Sequence, residues 1–264
     1  MSIKRNQVDR NSDSKKFEIT LSIDELLKDP GSVKSDDDYE WLKKVVSQTS
    51  TFNKKEPSVD LSKDNHEQNT DEGERRLLKL FKIALHDKRL AEKFISTVIS
   101  TAYLNNHRKF IFRIIMMFVE QRLYILKKAP GCYLNLVMIF GDFLHAYEGT
   151  NEIVETLFQC LMLLIEIEAS RAIELATIMM SKIGLKMAIR FPMVDTDNFL
   201  DRSYHILING EKIGPRSRIL LMLMIALNDQ KFLPFPDDHY LLEFYTTELG
   251  ESTMTKIQNN LKTF

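Results

Sequence analysis

Residues 150–168 read TNEIVETLFQCLMLLIEIE, and this stretch decides the fold class. Thr150 or Asn151 can cap a helix, and Glu152 and Glu155 follow in its first turn, where the helix macrodipole favours negative charge. Leu157, Phe158, Cys160, Leu161, Met162, Leu163, Leu164 and Ile165 then leave almost no polar side. A helix that is apolar nearly all round is buried on several faces. Gln159 interrupts the run and Glu166 and Glu168 end it, so it is too short to span a membrane. The stretch is expected to be the central helix of an α-solenoid, with neighbours in front and behind.

The flanking sequence keeps the same 3.6-residue period. Before the stretch, apolar stripes run through residues 74–86, 90–102, 110–126 and 132–147. Asp87 is placed to cap the second of these, and Ala129-Pro130-Gly131 separates the last two, because proline cannot continue a helix. After the stretch come residues 169–188, 199–208, 217–227 and 240–249. Pro215 suits a first helical turn, and Asp237 or Asp238 is expected to cap residues 240–249. Short connections make neighbouring helices antiparallel. The expectation is an all-α chain: a HEAT-like α-solenoid of about nine to ten helices in antiparallel pairs, spanning residues 74–250.

Residues 1–73 read differently. They are rich in Ser, Asn, Asp and Lys, and offer too few apolar groups to offset their ordering entropy. A mostly disordered tail is expected there, and a fraying tail over residues 251–264. Two islands stand out in the first tail. Residues 17–27 alternate and then resemble a short capping box, Ser22 to Glu25. Residues 35–46, with Tyr39, Trp41 and Leu42, have the form of a linear docking motif. A cap-binding-protein pattern would need Leu at position 44, where Lys44 stands.

The net charge of −1 hides an asymmetry. Residues 1–73 carry −4, residues 74–128 carry +9, and residues 129–264 carry −6. Arg75, Arg76, Lys79, Lys82, Arg108, Lys109 and Arg113 are therefore candidate contacts for RNA phosphates or an acidic partner. Arg216 and Arg218, opening the helix after Pro215, are candidates for a partner's acidic groups.

No catalytic, cofactor or metal motif is visible. There is no HExxH, CxxC, GxxxxGK[ST] or GxGxxG pattern. Cys132 and Cys160 sit in apolar contexts and read as core residues of a reducing compartment. Without an apolar leader or a membrane-spanning run, the chain is expected in the cytoplasm or also the nucleus. An enzyme is not expected.

Residues 213–249, IGPRSRILLMLMIALNDQKFLPFPDDHYLLEFYTTEL, carry a resemblance. Ser217-Arg218 opens an apolar helix, residues 228–231 form a polar turn, Phe232 takes an aromatic position, and Tyr240, Tyr245 and Glu248 lie in the tail. This resembles the closing repeat of the middle-domain family of eukaryotic initiation factor 4G. Residues 160–184 are similar in rhythm to its penultimate repeats. In size the chain looks most like the family's small members, the stem-loop-interacting and polyadenylate-binding-protein-interacting proteins. The turn lacks the Gly-Trp often found there, so no helicase-contact residue is carried over. The resemblance implies a non-enzymatic adaptor in translation initiation or mRNA regulation. It would recruit a DEAD-box helicase, initiation factors or mRNA-end-binding proteins, with RNA contact and homodimerisation left open. The alternative is a scaffold unrelated to mRNA, in trafficking or complex assembly.

Overall fold

The computed structural model describes residues 23–28, 68–100, 107–147, 150–190 and 197–262. Among them are twelve helices and no strand: α1 (Ile23–Leu27), α2 (Gln68–His86), α3 (Lys88–Ser100), α4 (Arg108–Glu120), α5 (Arg122–Lys128), α6 (Pro130–Ala146), α7 (Asn151–Glu166), α8 (Ser170–Arg190), α9 (Asp197–Asn209), α10 (Pro215–Asp229), α11 (Tyr240–Leu249) and α12 (Glu251–Lys262). The chain is all-α. No described helix is long and apolar enough to cross a membrane.

Several local signals act as expected. Asp87 accepts hydrogen bonds from the backbone of Arg89 and Leu90, at 2.8 and 3.4 Å, and so starts α3. Pro215 opens α10 at a position that needs no donor, whereas Pro130, read as a break between helices, opens α6 in the same way. The expected α7 forms, and it buries Val154, Leu157, Phe158, Cys160, Leu161, Leu164 and Ile165.

It is not the centre, however. α7 packs mainly against α6, α8 and α9, whereas α6 packs against α2, α3, α4, α5, α7 and α8. α8 joins α6, α7, α10 and α12. The reason is charge placement: Glu152, Glu155 and Gln159 keep one side of α7 in solvent. In contrast, α6 carries no ionisable carboxylate or ammonium before Asp142 and buries every residue from Asn135 to Gly141. Two of its polar side chains donate to carbonyls of neighbouring helices. Asn135 Nδ2 donates to the Leu85 carbonyl at 2.9 Å, and Tyr133 Oη to the Cys160 carbonyl at 2.9 Å. Gly141 lets the Met179 side chain of α8 lie directly against α6; a Cβ there would collide with its sulfur.

Four further expectations are corrected. Residues 110–126 are not one helix. The chain turns at Gln121, which swings Ile125 into the core and leaves Leu123 and Tyr124 outside. The cap of α11 is neither Asp237 nor Asp238 but the His239 ring, which accepts from Leu241 N at 3.2 Å. Residues 251–262 do not fray. Gly250 turns the chain at φ 90°, and α12 buries Met254, Ile257, Gln258 and Leu261 against its neighbours α8 and α11. Finally, helix begins inside the expected N-terminal tail: α2 starts at Gln68, and α1 packs on it. Tyr39, Trp41 and Leu42 lie outside the described residues.

The turn after α10 holds two non-glycine residues at positive φ, Lys231 at 54° and Phe232 at 57°. Such conformations cost of order 1–3 kcal/mol each and persist only where packing enforces them. Here the Phe232 ring, 3% exposed, fills a notch that Gly184 leaves on α8.

Candidate docking groove

Three of the sequence's candidate cations meet in one place. Arg108, Lys109 and Arg113 of α4 rim a groove of about 850 Å³. The remaining lining is Phe112 from the same helix, Phe143, Ala146 and Tyr147 from the end of α6, and Ile153 from the start of α7. Helical spacing explains the set. Residues four apart share a helix face, so Arg108 and Phe112 align, as do Lys109 and Arg113, and Phe143 and Tyr147.

The aromatic rings form a continuous floor. Phe112 and Phe143 stack at 5.7 Å with 25° between planes, and Phe143 meets Tyr147 at 4.7 Å. Burial raises the Tyr147 pKa, partly offset by the Arg108 charge, so its hydroxyl stays neutral at physiological pH. Arg113 lies 3.8 Å from Glu74 of α2 and 5.7 Å from the Phe110 ring centre. Its side chain is 72% exposed, so this ion pair contributes little to stability and leaves the guanidinium exchangeable. The groove can hold an anion at its rim and a flat or apolar group on its floor. The aromatic floor was missed in the sequence because its rings come from two helices, α4 and α6, about thirty residues apart.

The other candidates lie elsewhere. Arg75 and Lys79 are exposed on α2, and Arg76 and Lys82 are half-buried; none lines the groove. Arg216 and Arg218 are tied to neighbouring helices, Arg216 with its side chain still 43% exposed. Arg216 donates to the Leu249 carbonyl at 2.9 Å and to Thr253 at 3.1 Å, beside Glu174 at 3.7 Å. Arg218 donates to the Leu207 carbonyl and to that of Gly210 at 2.9 Å. These carbonyls close α11 and α9, where the last carbonyls lack intrahelical partners and the dipole is negative.

A second cleft, about 330 Å³, lies among α3, α6, α8 and α12. Asp142 and Lys182 pair there. Burial nevertheless raises the Asp142 pKa, the lysine opposing it, and lowers that of neighbouring His145. Both cysteines are buried and unbridged; burial pushes the Cys160 thiol up to about 11, which keeps it protonated. Cys132 Sγ lies 3.6 Å from His86 Nδ1 at the contact of α2 with α6. Among the described residues no group of three His, Cys, Asp or Glu is placed to hold a metal ion.

No protein-family model, no curated protein and no solved structure matches this chain.

Proposed function

We propose that this protein is a non-enzymatic adaptor of translation initiation or mRNA regulation, acting in the cytoplasm, which holds single-stranded RNA in the α4–α6–α7 groove. The observation that carries this reading is three cations rimming a three-ring aromatic floor. Single strands are bound by this combination, with phosphates on the cations and bases on the rings. On this reading the helices form an α-solenoid of antiparallel pairs. The contacts α6–α8–α10 in one row and α7–α9 in the other support it. The likeness of residues 213–249 to the initiation factor 4G middle-domain family points to mRNA. It also points to a DEAD-box helicase, initiation factors or mRNA-end-binding proteins as the proteins recruited.

The test is titration of a labelled single-stranded RNA at several salt concentrations. Binding is expected to weaken with salt at a slope of roughly −0.7 per phosphate contact, hence about −2 for three cations. Arg108→Ala with Arg113→Ala is expected to weaken it at least tenfold. If wild type binds no RNA at low salt, the RNA reading fails. The alternative, a scaffold unrelated to mRNA, would then stand, with protein partners whose recovery from extract is insensitive to RNase.

A further inference from the structure

The N-terminal helix α1 is five residues long, IDELL, and sits 40 residues before α2. A helix this short does not form by itself in water, because nucleation costs more than one turn returns. Loop closure across 40 residues opposes the contact further. Its helical form therefore depends on the surface it meets. Ile23 and Leu27, one turn apart, pack on the hydrophobic core beside α2. Asp24 accepts a hydrogen bond from the Tyr124 hydroxyl of α5, a bond that raises the tyrosine pKa.

The surface continues beyond what α1 covers. Leu123 beside Tyr124 is 63% exposed. Lys127 and Lys128 lie one turn further along α5, both exposed, with the Lys128 ammonium 5.8 Å from the Tyr124 ring centre. An exposed leucine next to two lysines suits a helix that is apolar on one face and acidic beside it. α1 has that character over its five residues, Ile23–Leu27.

We propose that the α2–α5 face is a docking site for a short acidic amphipathic helix of a partner protein, with the pattern apolar–acid–acid–apolar–apolar and at least one more turn than α1. The protein's own α1 occupies this site until the partner's helix replaces it. The extra turn covers Leu123 and brings carboxylates to Lys127 and Lys128. The RNA groove uses other residues, so this site and that reading stand or fall separately.

The test uses the full chain and a labelled peptide of residues 17–30. Ile23→Asp with Leu27→Asp removes the internal competitor; circular dichroism checks that the helical core is kept. The peptide is expected to bind this variant at least tenfold more tightly than wild type. Adding Lys127→Glu and Lys128→Glu is expected to lose at least tenfold of that affinity, and Tyr124→Phe a smaller part. A peptide of the same pattern but different residues is expected to compete, and a scrambled one not. Equal binding to wild type and variant, or no binding to either, overturns the proposal. So does a wild-type dimer that Leu27→Asp dissociates, since a second copy's α1 would then be the occupant.

Discussion

Two helices in this protein open with the same chemistry. α4 begins with Arg108 and Lys109 and carries Arg113; α10 begins Pro215-Arg216-Ser217-Arg218. A cation near a helix start is unfavourable with its own dipole. In α10 the cost is offset by other helices, whose terminal carbonyls receive both guanidiniums. In α4 the cations face a groove with an aromatic floor. The difference teaches that an arginine's role is set by whether a neighbouring helix ends beside it. Where one does, the arginine ties the fold together; where none does, its donors stay available to a ligand.

The comparison can be broken outright at α7, which lines the groove through Ile153 and packs on α9, whose end receives Arg218. Leu161 is fully buried on α7. Leu161→Asp places a charge there without a counter-charge and is expected to cost about 4 kcal/mol or more. Loss of the cooperative thermal transition is the readout. In the closing half, Phe232→Ala empties the Gly184 notch, with an expected loss of about 3–5 kcal/mol in urea unfolding. Arg218→Met leaves the carbonyls of Leu207 and Gly210 without their charged donor, and about 2 kcal/mol is expected to go in the same assay.

A smaller effect depends on pH. His145 has its pKa lowered from 6.5 by burial first and by the Lys182 charge second. The unfolded chain therefore takes up the proton first, and stability falls as pH drops below about 6.5. Asp142 works the other way. Its pKa is raised above 3.8, chiefly by burial, so the folded state takes up that proton first and the loss flattens near the acid end. Urea midpoints between pH 7.5 and 4 should show both, and His145→Gln should remove the first. Smallest of all, Arg108→Ala with Arg113→Ala is expected to change stability by less than about 0.5 kcal/mol. If that pair costs as much as Arg218→Met, the contrast between the two arginine sets is wrong.

Helix existence was legible because its signals are local. Asp87, Pro130 and Pro215 act within one turn of themselves, and the 3.6-residue period of residues 150–168 needs no partner to be read. The C-terminal helix was missed: Gly250 followed by Met254, Ile257 and Leu261 at helical spacing carried its signal, but polar neighbours masked it. The His239 cap was harder, because two aspartates with better capping propensity precede it.

The sequence by itself determined that this chain is helical, where most of its helices begin and end, and that positive charge gathers in residues 74–128. Only the tertiary structure decided that α6 and α8, rather than α7, hold the assembly together. It alone tied Arg216 and Arg218 to the ends of neighbouring helices and set Phe112, Phe143 and Tyr147 beneath Arg108. The physical reason is range: a helix is specified by residues three and four apart. Which face meets which depends on side chains tens of residues away, brought together only by packing.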